Sequence, residues 1–134
     1  MAGFVGYLGA LAAFFVADMI WLSATVDRVY RPILGDLAAA NVNLPAAGAF
    51  YLLFPIGLTF FAVTPGLRRG SPALAALNGA LFGFFTYATY DLTNQATLRN
   101  WTTQLTLIDV SWGVVLGAIA ASAGYLAATR AATR

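Results

Sequence analysis

The sequence contains no cysteine and no histidine. Lysine and glutamate are missing too, so every basic residue is arginine and every acidic one aspartate. Without cysteine there is no disulfide framework and no thiol chemistry. Without cysteine and histidine the common zinc, haem and iron–sulfur ligand sets are absent as well, and no metal or other cofactor is expected. Charge of either sign is scarce: 9% of the 134 residues are charged, where a soluble domain carries about a quarter. The net charge of +2 is small and spread along the chain, which excludes nucleic acid as an expected partner.

What is present is apolar: 60% of the residues are hydrophobic. Four apolar segments can be separated, at residues 3–26, 46–63, 72–90 and 105–128. Each approaches the roughly 20 residues that cross a hydrocarbon core of about 30 Å. Segments that span lipid must be helical, because lipid cannot satisfy a bare backbone. The expected fold is therefore all-α: an integral membrane four-helix transmembrane bundle, a single domain over residues 1–134 with the lipid bilayer as its first partner. The first apolar run lacks a basic leader, is too long for a signal-peptide core and carries Asp18, so it reads as a retained span.

The connections add detail. Residues 28–38 mix charged and apolar side chains and suit a short interfacial helix, with Asn41–Pro45 as the turn into the second span. Thr64–Pro72 is punctuated by Pro-Gly and Gly-Ser-Pro, so the second and third helices should be antiparallel neighbours. Arg68, Arg69, Arg130 and Arg134 fall on one side of a four-span topology, and Arg28, Arg31 and Arg99 on the other. The positive-inside rule then places both termini in the cytoplasm. Small residues recur four apart at Gly9, Ala13 and Ala17, at Gly79 and Gly83, and at Gly113, Gly117 and Ala121. Such ridges let helix backbones approach closely in lipid. They serve either packing inside the bundle or a homodimer face. Pro55 should kink the second helix, which otherwise offers only Tyr51 and Thr59 as polar side chains and reads as a wall.

The stretch Tyr87–Trp101 departs from this background. It holds Asp91, Arg99, two asparagines, a glutamine, three threonines, two tyrosines and a tryptophan. On a helix, Tyr87, Asp91, Asn94 and Leu98 share one stripe. Asp18 lies some eight residues before the end of the first span, about 12 Å deep at roughly 1.5 Å per residue. Asp109 lies just inside the fourth. In an antiparallel arrangement Asp18, Asp91 and Asp109 collect in the same half of the bundle, with Trp21, Trp101 and Trp112. A carboxylate in a span costs about 2.5 to 3.5 kcal/mol on insertion scales and so faces the bundle interior or a water-filled cavity. The candidate ligand-binding set is Asp18, Trp21, Tyr87, Asp91, Asn94, Arg99, Asp109 and Trp112, with no catalytic or metal-ligating residue assigned. Arg99, Arg28 or Arg31 can reach the same mouth. The set forms either an outward pocket for a proton or a small cationic or amphipathic ligand, or an inert network joining helices. Trp101 also fits a plain interfacial anchor.

The strings Tyr90-Asp91-Leu92-Thr93-Asn94, Thr97-Leu98, Asn100-Trp101 and Asp109-Val110-Ser111-Trp112-Gly113, together with Asp18–Trp21, resemble a bacterial family of small four-span membrane proteins known only as a domain of unknown function. The resemblance covers nearly the whole chain and implies a bacterial inner-membrane protein without an assigned activity. It also implies that Asp18, Asp91, Asn94, Trp101, Asp109 and Trp112 belong to one site. The chain departs from the family pattern at Gln95, where an aromatic is usual.

Three functions are compatible with these residues. One is a proton- or cation-coupled protein that binds or transports a small molecule or lipid, by analogy with other four-span carriers. Another is a structural or assembly partner of a larger membrane complex, with the polar cluster as helix glue. The third is a membrane-embedded enzyme acting on a lipid or quinone through carboxylates.

Overall fold

The computed structural model describes residues 2–133. Met1 and Arg134, the latter counted in the arginine balance between the two sides, lie outside the described residues. Helix accounts for 89% of the structure, and no strand occurs among the described residues. The described residues form four long helical segments: α1 (Ala2–Leu37), α2 (Leu44–Arg69), α3 (Pro72–Thr97) and α4 (Thr103–Ala132).

Local chemistry sets their ends. The side chains of Asn43, Ser71 and Thr102 each accept a hydrogen bond from the backbone N–H three residues on, at Ala46, Leu74 and Leu105. These are N-caps that occupy otherwise orphaned donors. Pro45 and Pro72 sit in the first turns, where a missing N–H is no loss. Gly70 closes α2 with φ 60°, the left-handed conformation that glycine adopts without strain.

Three helices outrun their apolar stretches. The segment expected as a separate interfacial helix continues α1 instead, through a π turn at Val26–Tyr30 and further helical turns to Leu37. α2 likewise continues past Pro65 to Arg69, after a π turn at Thr59–Val63. Pro65 falls in the first turn of the resumed helix, so it does not end it. α3 carries the polar stretch in helical form as far as Thr97. Thr86, Thr89, Thr93 and Thr97 each donate to the carbonyl four residues back, so these hydroxyls are satisfied within their own helix.

α4 packs along α3 on one side and α1 on the other, while α2 leans on α1 and α3. The small-residue ridges lie at these contacts. A methyl group built on Gly83 would strike the backbone carbonyl of Gly113, and one on Gly117 that of Gly79. On the α1 side, a methyl on Gly124 would stand 2.7 Å from the Gly6 carbonyl oxygen. Backbones this close gain van der Waals contact that larger side chains would prevent. Phe14, Leu58, Val63 and Leu116 fill the space between the helices.

α1, α2 and α4 are each long and apolar enough to cross a membrane. α3 is also long enough, at 26 residues, but Asn78 and its threonine-rich second half lower its hydropathy. The outer surface is apolar: Phe4, Ile20, Phe60, Phe85 and Leu107 are all exposed.

Candidate functional site

Three elements meet at Asp18. Its carboxylate accepts from the Tyr51 hydroxyl at 2.6 Å and from the Trp112 indole N–H at 3.0 Å. One buried acid thus joins α1 to α2 and to α4. Trp112 then stacks on Trp21, with ring centroids 4.5 Å apart and planes 3° from parallel. The indole N–H of Trp21 donates to the Tyr30 hydroxyl at 3.0 Å, and that hydroxyl donates to Asp109 of α4.

Tyr30 reaches this position because α1 changes pitch. At about 100° per residue, nine residues of α-helix would leave Tyr30 on the face opposite Trp21. The π turn at Val26–Tyr30 accommodates one extra residue and rotates the succeeding helical turns back by about 100°. The hydroxyl then swings over the end of α4.

Asp91 is fully buried, and neither of its carboxyl oxygens has a hydrogen-bond partner. Its neighbours are Asp109 and Trp101. The Trp101 indole is itself committed elsewhere. It donates to Thr106 at 3.1 Å, Thr106 donates to Gln95 at 2.8 Å, and Gln95 donates to Thr103 at 2.7 Å. This chain fastens the end of α3 to the start of α4.

Between α1, α2 and the buried acids lies a cavity of about 890 Å³, within the range of small-molecule sites. Asp18 and Asp109 supply its charge; Trp21, Trp112, Tyr87 and Phe54 supply much of its wall. Phe15 and Met19 of α1 and Leu44 and Phe50 of α2 line it too, and all four are exposed. The cavity therefore opens sideways, between α1 and α2.

Among the described residues, no basic residue pairs with these acids. The one ion pair among the described residues joins Arg31 to Asp27 at 3.3 Å, both of them exposed. Arg28 and Arg99 are exposed and unpaired.

Residues 3–126 match the model of a family described as "Predicted membrane protein (DUF2177)". The chain belongs to that family. No curated protein and no solved structure matches it significantly. Membership makes this a predicted membrane protein and brings no activity with it.

Of the eight residues expected to form a site in this family member, the structure sets Asp18, Trp21, Tyr87, Asp109 and Trp112 around the cavity. Asp91 lies buried behind it, beside Asp109. Asn94 and Arg99 do not line it. Tyr30 and Tyr51, which complete the contacts of Asp109 and Asp18, were not singled out from the sequence as site residues, nor were Gln95 and Thr106. Tyr51 lies on a helix that reads as a wall, and Tyr30 falls in the connection expected to form a separate interfacial helix.

Proposed function

We propose that this is a four-span bacterial inner-membrane protein, with both termini cytoplasmic, that binds a small amphipathic cation from the bilayer. The observation that carries this reading is the pair Asp18 and Asp109: two buried acids, in an aromatic-walled cavity, with no arginine among the described residues paired to either. Acids placed this way inside a membrane mark ligand or ion pathways, and aromatic faces attract cations. The sideways opening supports entry from lipid, since a ligand with an apolar body would already be concentrated there. Proton or cation coupling, and transport as the purpose of binding, belong to the same reading.

The test is a titration of the detergent-purified protein with tetraphenylphosphonium, followed by tryptophan fluorescence. Trp21 and Trp112 report from the cavity wall. Saturable quenching is expected, weakened at least tenfold in Asp18→Asn. A linear, non-saturating response in the wild type would remove the proposal.

A second reading is supported by the same bonds. Asp18 and Asp109 join α1, α2 and α4, as a structural subunit of a larger complex would need. That reading predicts a large loss of thermal stability in Asp18→Asn and no response to the probe.

A further inference from the structure

We propose that Asp91 and Asp109 form a site for a single exchangeable proton, held between their two carboxyl groups. Asp91 is 0% exposed and both of its oxygens lack a donor. The group it faces is Asp109, which is another carboxyl and, when ionised, another acceptor. Two acceptors cannot bond to each other unless one of them carries a proton. Two adjacent negative charges in a buried site repel strongly, and no arginine among the described residues pairs with either. The other titratable groups facing the pair are Asp18 and Tyr30 on α1 and Tyr87 and Tyr90 on α3. All are acids, and none forms an ion pair with an arginine among the described residues.

The Trp101 indole lies beside Asp91 but donates to Thr106 at 3.1 Å. A proton between the carboxyls satisfies Asp91 with what is already there. It gives Asp91 one hydrogen bond and leaves one negative charge on the pair, which the Tyr30 hydroxyl stabilises from the Asp109 side.

The two members of the pair differ in access. Asp109 lines the cavity, and Asp91 does not. Protons therefore enter and leave through Asp109, with Asp91 as the sealed partner. The site deepens the cavity reading and rests on it for its purpose, because Asp109 belongs to both. Its test needs no ligand, so the two proposals stand or fall separately.

The experiment is infrared spectroscopy of the detergent-purified protein at neutral pH, in water and in deuterium oxide. A protonated-carboxyl C=O band that moves to lower frequency on deuteration is expected in the wild type. It should disappear in Asp91→Asn and in Asp109→Asn and persist in Asp18→Asn. Asparagine mimics the neutral carboxyl in shape, and circular dichroism verifies that each variant is folded. If Asp91→Asn does not fold, Asp109→Asn and the wild-type band decide the matter. Absence of the band in the wild type, or its loss only in Asp18→Asn, would overturn the proposal. So would a band abolished when sodium chloride replaces choline chloride at constant ionic strength, since the site would then take sodium.

Discussion

The Tyr30 hydroxyl donates a hydrogen bond to Asp109, 79 residues further along the chain. The same oxygen accepts from the Trp21 indole. Tyr30 is thus the join between the end of α1 and the start of α4. Tyr30→Phe removes both bonds and leaves Asp109 without that donor. A hydrogen bond to a charged group contributes about 1.5–3 kcal/mol, so the variant should melt at a clearly lower temperature than wild type in the same detergent. An unchanged midpoint would show that the bond contributes nothing to stability.

A methyl group at Gly83 meets the backbone carbonyl of Gly113. Backbone in the middle of a helix cannot swing aside, so Gly83→Ala must push α3 away from α4. Overpacking of this kind costs about 1–3 kcal/mol. Gly48 is the control, since a methyl there meets nothing within 4 Å. Gly48→Ala should be neutral or stabilising by up to about 1 kcal/mol, the helix-propensity gain. Melting curves of the two variants should fall on opposite sides of the wild type, or Gly48→Ala should coincide with it.

Thr106 accepts from Trp101 and donates to Gln95. Thr106→Val keeps the shape and deletes the hydroxyl, leaving a buried indole N–H without its acceptor. The loss should be about 1–3 kcal/mol, read as a lower denaturation midpoint. Thr106→Ser retains the hydroxyl and should recover most of that loss. Equal destabilisation in both variants would assign the effect to the methyl group instead.

Arg99 is exposed and makes no ion pair. Surface substitutions of this kind stay within about 0.5 kcal/mol. Arg99→Ala should therefore leave both the melting midpoint and tetraphenylphosphonium binding at wild-type levels. A tenfold change in probe affinity would mean that Arg99 acts on the cavity from a distance.

Much of the fold was legible in the residues themselves. Long apolar runs with 9% charge leave helices as the answer, and the turn at Asn41–Pro45 and the Ser71-Pro72 break fall where α2 and α3 begin. The helix ends were harder to read. Pro65 and the polar stretch after Tyr90 both look like breaks. The π turn at Thr59–Val63 lets the chain pass the first, and self-bonded threonines carry α3 through the second.

The sequence by itself determined that this is an apolar, all-helical chain with Asp18, Asp91, Asp109 and the tryptophans toward one end of its helices, because lipid excludes irregular backbone and helical periodicity is regular. Only the tertiary structure decided which of those polar groups meet. A π turn rotates Tyr30 onto Asp109, α2 brings Tyr51 to Asp18, and close packing of α3 on α4 seals Asp91 beside Asp109 while leaving Arg99 outside. These pairings depend on distances between helices far apart in sequence, and on a one-residue change of helical register. No pattern along a single helix encodes either.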